Sequence, residues 1–272
     1  MPDNQPLSGK VAIVTGAGRL RGIGRATAVA LAEKGADVAV TGTGRDPAKF
    51  PGDEKEAGWR DIESTAAQVR QLGRRCLPVL ADVSSSADVT RAVAAILNEF
   101  GRIDILVNNA ALARGADRVA ITELSEDLWR KVLDIKLTGS FLMSKAALPS
   151  MIAAGSGGSI VNISSVAGKR GSAKTTAYCA ANFGVQGFTQ ALAMELAPHN
   201  IRVNAVCPGL IGTSRMDDLM RTPEWETAIE RIPLKRAGKD EEVARLIAWL
   251  CSPDASYMTG QSINFDGGVV MW

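Results

Sequence analysis

"KVAIVTGAGRLRGIGRATAVALAEKG", residues 10–35, carries the pattern that predicts the fold. An apolar run of β type leads into a loop with glycines at 16, 18, 22 and 24, and the loop opens a helical pattern. Glycines let the backbone turn tightly and approach a pyrophosphate, while the helix N-terminus adds amide donors and the positive end of its dipole. The pattern is specific because it follows a first strand and precedes a helix. We predict a dinucleotide-binding site here, and not a purely structural turn.

Short apolar runs alternate with longer helical patterns along the rest of the chain. The predicted strands lie at residues 10–15, 36–41, 75–80, 103–108, 159–164, 201–206 and 262–266. The predicted helices lie at residues 23–34, 60–72, 87–100, 126–154, 174–197 and 240–251. This alternation is typical of βαβ units with right-handed crossovers. We predict an α/β fold, a single-domain, Rossmann-like doubly wound parallel sheet over residues 1–272 with helices on both faces.

Composition excludes several classes of function. The net charge of +2 offers no basic excess for nucleic acid or an anionic membrane. No apolar run approaches the roughly 18 residues that cross a bilayer. The four cysteines are far apart and there is one histidine, which is typical of free thiols in a reducing compartment. We expect a cytoplasmic protein without a metal site.

Two segments interrupt the strand–helix rhythm. Residues 42–59 are rich in Gly, Pro and charge and are long for a connection between strand and helix. Residues 210–238 follow the sixth predicted strand, at the edge where such sheets bind ligands. We predict an insertion loop at 42–59, with a plain surface insertion as the alternative, and a substrate-covering segment at 210–238.

The end of the second strand bears on the choice of dinucleotide. An acid there would accept hydrogen bonds from a free ribose 2′-hydroxyl, but the chain reads TGTGR with no acid before Asp46. Arg19, Arg21 and Arg45 are predicted to lie near this corner, and guanidinium groups favour a 2′-phosphate. We therefore predict NADP(H) over NAD(H), the alternative being that these arginines are solvated.

These motifs, in this order, resemble the short-chain dehydrogenases/reductases over nearly the whole chain. TGAGRLRGIG is similar to the family's TGxxxGxG but has five residues, not three, between Thr-Gly and Gly22. ADV (81–83), NNAA (108–111), PGLIGT (208–213) and DGG (266–268) are similar to further family segments. The residues that we expect to contact the cofactor are Gly16, Gly18, Arg19, Arg21, Gly22, Ile23, Gly24, Arg45, Asp82, Val83, Asn109, Ala110, Ala111, Tyr178, Pro208, Gly209, Ile211 and Thr213.

The family's catalytic Asn, Ser, Tyr and Lys are only partly present. Ser165 and Tyr178 match, but Asn182 stands at the Lys position and Lys136 stands at the Asn position. Lys136 lies opposite the polar stripe of its predicted helix, so we expect its ammonium to act on the phenol from across the pocket. We expect Asn182 to orient the nicotinamide ribose or a relay water. The alternatives are a lysine with its stem over apolar surface and its head in water, and an asparagine in the helix interior that packs at a subunit or sheet contact.

The resemblance implies an oxidoreductase that transfers a hydride between NAD(P) and a ketone or secondary alcohol, with Tyr178 as the acid/base. It also implies a homo-oligomer, a tetramer or dimer. The alternatives are a non-catalytic NADP-binding protein, for which the altered YxxxK motif is the main argument, and altered chemistry such as imine reduction or a dehydration. The residues expected at the pocket rim are Leu112, Arg114, Val166, Lys169, Arg170 and Met216.

Overall fold

The computed structural model describes residues 5–272. Seven strands form one sheet: β1 (Val11–Val14), β2 (Asp37–Gly42), β3 (Cys76–Leu80), β4 (Ile105–Asn108), β5 (Gly158–Ile163), β6 (Ile201–Pro208) and β7 (Ser262–Phe265). Their order is β3-β2-β1-β4-β5-β6-β7, and every neighbouring pair is parallel. The predicted parallel α/β sheet is confirmed, and each predicted strand lies within a few residues of its observed bounds.

Ten α-helices connect and cover the strands. They are α1 (Ile23–Glu33), α2 (Gly52–Glu56), α3 (Ile62–Gln71), α4 (Ser86–Phe100), α5 (Glu126–Leu133), α6 (Gly139–Ala153), α7 (Thr176–Leu196), α8 (Asp217–Met220), α9 (Pro223–Glu230) and α10 (Asp240–Cys251). Within residues 5–272, no helix is long and apolar enough to span a membrane.

Strand β1 shows why the strands are apolar without alternation. All four of its residues are buried. Ala12 and Val14 belong to a core with Leu31 and Ile247 of the helices on one face. Val11 and Ile13 belong to a second core that includes residues of α4, α6 and α7 on the other face. Because side chains alternate between two buried faces, each position in the strand is apolar.

The strand order places a cleft beside β1. The connection after β1 leads to β2 on one side, and the sheet resumes with β4 on the other. At such a switch point the connections diverge and leave a crevice at the carboxyl ends of the strands. The glycine loop after β1 and the segment after β4 therefore face each other.

The predicted helix at 126–154 is not one continuous α-helix. A π-helical turn over Asp134–Thr138 separates α5 from α6. Such single π turns are rare and occur often at functional sites. This turn contains Lys136, one of the residues predicted to act at the site.

The insertion at 42–59 is folded and packed. It contains a 3₁₀ turn over Pro47–Lys49 and the short helix α2. Phe50 and Trp59 are buried, and the indole Nε1 of Trp59 donates to the carbonyl of Gly18 at 2.7 Å. The insertion therefore lies against the glycine loop, which the alternative of a plain surface insertion does not describe.

Candidate active site

A cavity of about 910 Å³ opens at the carboxyl ends of the strands. Its walls come from the glycine loop, the ends of β2 to β6, the π turn, α7 and the segment after β6. All the predicted cofactor-contacting residues line it, from Gly16 to Thr213. Lys136, Ser165 and Tyr178 line the same cavity. The structure thus brings the predicted nucleotide loop and the predicted reacting groups together.

The glycine loop has room for a pyrophosphate. Gly16 has a φ of 67°, and a Cβ built on it would lie 2.8 Å from the Cα of Ala110. Helix α1 begins without a side-chain cap and has no acidic residue in its first turn. Its first amide groups are therefore available to an anion, and the positive end of the helix dipole adds to the attraction. The loop fits a dinucleotide diphosphate.

Asn109 holds the loop in place. Its Nδ2 donates to the carbonyls of Thr15 and Gly16 at 2.8 and 3.0 Å. The amides of Asn109 and Ala110 both donate to the Thr15 hydroxyl, at 3.0 and 3.1 Å. The Asn109 side chain is thus committed to the shape of the loop, although the residue also lines the cavity.

The three arginines that were predicted to favour a 2′-phosphate lie next to carboxylates. Arg21 contacts Asp53 and Asp217 at 2.7 and 2.6 Å. Arg45 contacts Glu54 at 2.7 Å and Asp61 at 3.1 Å. These pairings use two of the five guanidinium N–H groups of Arg21 and, with a bond to the Gly18 carbonyl, three of the five of Arg45, and they offset the positive charge of both side chains.

Glu54 and Asp61 bring unexpected negative charge to this corner. Glu54 is fully buried, and it accepts from the amide of Leu20 as well as from Arg45. Arg19 lies at the outer limit of an ion pair with it, at 4.0 Å. Asp61 lines the cavity, and a Cβ built on Gly18 would overlap its Oδ1. In the sequence, Glu54 lies in the insertion and Asp61 just beyond it. Neither is at the end of β2, where an acid that binds the ribose is expected.

Ser165 and Tyr178 both face the cavity. Ser165 follows β5, and its Oγ accepts from the amide of Ala167 at 3.1 Å. Because that bond uses a lone pair, the hydroxyl hydrogen is available to donate to another group. Tyr178 stands in the first turn of α7 and is half-buried. This pair can present a donor and a proton to one substrate oxygen.

Lys136 is buried, not solvated. It is 5% exposed and lines the cavity from the π turn, which packs against α7. The pKa of Lys136 is lowered from its ordinary 10.5 to about 7, mainly by burial and also by the positive charge of Arg215, against a smaller raising effect of Cys207. Within residues 5–272, no carboxylate forms an ion pair with its amine. The amine therefore exchanges its proton near neutral pH and is not a permanent cation.

Asn182 does not reach the cavity wall. It is completely buried, and its Nδ2 donates at 2.8 Å to the carbonyl of Tyr178, one turn earlier in α7. Its Oδ1 is buried without a hydrogen-bond partner in the described part of the chain. The expectation that Asn182 orients a ribose or a relay water stays a prediction, and the Oδ1 is the atom of this side chain that is free to accept from a water. Its geometry is that of an asparagine packed inside its helix.

Two arginines not identified from the sequence flank the phenol. The guanidinium carbon of Arg118 lies 4.1 Å from the Tyr178 ring centroid, and that of Arg215 lies 5.2 Å from it. Arg118 forms an ion pair with the buried Asp117. No sequence motif predicts these two arginines, because residues that stack on an aromatic ring have no fixed spacing from it in the sequence. Of the six rim residues expected, Lys169 is the one that does not line the cavity.

The segment at 210–238 crosses the mouth of the cavity. The amide of Ser214 donates to the carbonyl of Arg21 at 2.9 Å, and Asp217 pairs with the side chain of the same arginine. Met216, Ala228 and Arg231 of this segment line the cavity. These contacts join the segment to the glycine loop over the cleft.

Comparison with known proteins finds a family model, relatives and solved structures that match this chain. The family model described as enoyl-(acyl carrier protein) reductase matches residues 16–270. The chain is 44% identical to the short chain dehydrogenase/reductase astE of Aspergillus oryzae, over 97% of this chain and 95% of the relative. It is 39% identical to the 3-oxoacyl-(acyl-carrier-protein) reductase FabG of Thermotoga maritima, over 97% and 99%. A solved structure of a putative short-chain alcohol dehydrogenase from Sinorhizobium meliloti superposes with a TM-score of 0.86 at 35% identity, covering 98% of both chains.

Proposed function

The chain belongs to the short-chain dehydrogenases/reductases, nicotinamide-dependent oxidoreductases of carbonyl or CH–OH groups, and we propose that Tyr178 is its proton donor and acceptor. The observation that carries this proposal is that Ser165 and Tyr178 line one cavity with the glycine loop. The relatives are named as reductases and dehydrogenases, which does not favour a non-catalytic nucleotide binder.

The roles follow from the groups that face the cavity. The nicotinamide supplies the hydride when the cofactor is bound. In the reductive direction Tyr178 gives its phenolic proton to the substrate oxygen, and in oxidation it takes that proton back. The Ser165 hydroxyl donates a hydrogen bond to the same oxygen and fixes its position. The bond that Ser165 Oγ accepts from Ala167 occupies one lone pair and leaves its hydrogen to be donated.

Lys136 and the two arginines share the role that the family pattern gives to one lysine. The Arg118 and Arg215 guanidinium groups lie on the phenol ring, where their positive charge favours the negative charge that develops on the Tyr178 oxygen as its proton leaves. Lys136 has a pKa of about 7, so it can both give and take a proton near neutrality. We assign to Lys136 proton exchange with the site. Asn182 is a positioning residue of α7, not a group that touches the substrate.

The residues at the adenosine corner support NAD(H) over NADP(H). The sequence-based expectation of NADP(H) assumed three available arginines, but Arg21 and Arg45 are paired with acids of the insertion and of the segment after β6. A 2′-phosphate at this corner would approach the carboxylate of Asp61, which lines the cavity. A free ribose hydroxyl instead can donate to Asp61, which takes the place of the acid missing from the end of β2.

We expect the protein to bind NADH at least about tenfold more tightly than NADPH, since one unfavourable phosphate–carboxylate contact costs at least about 1.4 kcal/mol. Asp61→Asn should reduce the ratio of NADH affinity to NADPH affinity, and Asp46→Asn, at an exposed acid of the insertion, should leave that ratio unchanged. Fluorescence titration of both reduced cofactors measures the ratio. Tighter binding of NADPH by the unaltered protein would contradict the assignment.

The function itself is tested by following reduced cofactor at 340 nm with a panel of ketones and imines. Ser165→Ala should lower kcat for the best ketone by about 10²-fold, the effect of removing one donor to a developing oxyanion. Cofactor binding should not change. An imine turned over far better than any ketone would assign the altered chemistry, and no turnover with any member of the panel would remove the enzyme proposal.

The cysteines and the apolar surface bear on the compartment and the assembly of the enzyme. The four cysteines are free thiols, which fits the predicted reducing cytoplasm. Phe141 and Phe183 are exposed on α6 and α7 at 43% and 48%, and Met194 at 82%. Apolar surface of this kind supports the predicted homodimer or homotetramer. Sedimentation velocity distinguishes these assemblies from a monomer.

A further inference from the structure

The cavity beside Tyr178 is lined by more basic side chains than acidic ones. Arg114, Arg118 and Arg215 line it as half-buried side chains and form what we call the arginine cluster. Arg118 and Arg215 both stack on the phenol ring, at 4.1 and 5.2 Å from its centroid. Lys131, Arg170 and Arg231 line the same cavity as exposed residues. The cluster thus surrounds the proposed acid/base group.

The carboxylates of the cavity do not balance this cluster. Asp117 pairs with Arg118, and within residues 5–272 no carboxylate lies within ion-pair distance of Arg114 or Arg215. The acids that line the cavity are Asp61 and Asp82. Both are at the cofactor end, where Asp61 binds Arg45 and Asp82 accepts from the amide and hydroxyl of Ser84. One carboxylate therefore faces three guanidinium groups.

Placing these guanidinium groups together has a cost that an anion would relieve. Burial lowers the pKa of Arg118, and the nearby charges of Arg215 and Arg114 lower it further, although Asp117 and Tyr178 raise it. Stacking on an aromatic ring accounts for one arginine at a surface. It does not account for a second arginine on the same ring and a third beside them. Like charges held in a partly desolvated cleft are typical of a site whose missing partner is an anionic ligand.

We propose that the carbonyl substrate is an oxo acid, whose carboxylate is bound by Arg118 and Arg215 while its ketone oxygen faces Tyr178. The inference rests on the proposed function and names the substrate class of that site. The planar guanidinium fork matches a carboxylate with two parallel hydrogen bonds, which a point charge such as lysine does not provide. Because both guanidinium groups lie on the ring that carries the reacting hydroxyl, the carboxylate is placed close to the carbonyl carbon, as in a 2- or 3-oxo acid.

The test compares charged and neutral substrates of the same shape. Pyruvate, 2-oxobutyrate and acetoacetate are assayed beside their methyl esters, and dihydroxyacetone phosphate beside dihydroxyacetone. We expect kcat/KM for the best oxo acid to exceed that of its ester by at least about 10²-fold, and its KM to rise with ionic strength. Arg118→Gln and Arg215→Gln also remove positive charge from the phenol, so each should lower kcat for acid and ester alike, but each should raise KM at least about tenfold for the acid only. Arg130→Gln, an exposed arginine of α5, is the matched control and should change neither.

Binding is measured separately from turnover. Calorimetric titration of the enzyme–cofactor complex with the oxo acid and with its ester should show binding of the acid alone, and the Arg variants should lose it while keeping the cofactor Kd. Equal use of acid and ester would overturn the inference and leave the oxidoreductase intact. A ketone phosphate preferred over every oxo acid, or a cofactor Kd weakened by Arg215→Gln, would overturn it as well. Absence of turnover with binding of the acid retained would count against the proposed function and not against the anion site.

Discussion

Tyr178→Phe is expected to lower kcat by about a thousandfold or more with every ketone that the enzyme reduces. The substitution removes the group that gives and takes the proton, and positioned acid–base catalysis is worth about 10² to 10⁴. The aromatic ring remains, so the stacking contacts of Arg118 and Arg215 are retained. The cofactor Kd should therefore stay within about twofold, as measured by fluorescence titration.

The chain offers a clean control for this variant. It contains two tyrosines, and the other, Tyr257, is fully exposed. Tyr257→Phe should leave kcat and KM unchanged. A Tyr178→Phe enzyme with more than about a tenth of the original kcat would show that another group, such as the Lys136 amine, transfers the proton.

Lys136→Met is expected to stabilise the fold while it damages the enzyme. The pKa of Lys136 falls from 10.5 to about 7 on folding because burial disfavours the ammonium. A shift of this size means that the lysine lowers the free energy of unfolding by up to about 5 kcal/mol. The full cost applies where the lysine is protonated in both the unfolded and the folded chain. A methionine has similar length and carries no charge, so the free energy of unfolding should rise.

The sign of the pH dependence distinguishes this effect from improved packing. Below pH 7 both states bind the proton, and the full cost of the buried ammonium is present. Between pH 7 and 10.5 the unfolded chain binds more protons than the folded one, so the stability of the unaltered protein rises by about 1.4 kcal/mol per pH unit from this group. The advantage of Lys136→Met should therefore be largest at pH 6 and should shrink steadily toward pH 10. Urea unfolding at several pH values measures it.

Lys145→Met provides the matched control, because Lys145 is exposed on α6 within a few turns of Lys136. Its effect on stability should be small at every pH. In activity, Lys136→Met should lower kcat by about 10² and remove the titration near pH 7 from the kcat profile. A stability gain that does not vary with pH, or an unchanged rate profile, would contradict the role given to this amine.

The strands and the nucleotide loop were predictable from local pattern. The run at residues 11–14 is apolar because its side chains alternate between two buried faces. Four consecutive apolar residues are therefore enough to predict a strand that is covered on both sides. The glycines at 16 and 24 predict a close approach of another group to their backbone. In the structure Ala110 and Asn109 make these approaches, and a side chain on either glycine would overlap them. The family match over residues 16–270 confirms the resemblance drawn from these motifs.

The electrostatic character of the site depended on residues distant in sequence. Asp61 reaches Arg45 and the glycine loop only because the insertion folds back across the adenosine corner. Arg118 and Arg215 come from different strand ends and meet on one ring. No periodicity records such meetings, because they depend on how loops pack and not on spacing along an element.

The sequence by itself determined the sheet and the place of the glycine loop, because each follows from local backbone geometry, and a short motif predicted Ser165 and Tyr178 as the reacting pair. Tertiary structure alone decided that Asn182 is turned into its own helix and that Lys136, carried by a π turn, is buried with a pKa of about 7. The charge that a lysine bears depends on how far it is removed from water and on which cations surround it. Both are properties of the folded chain.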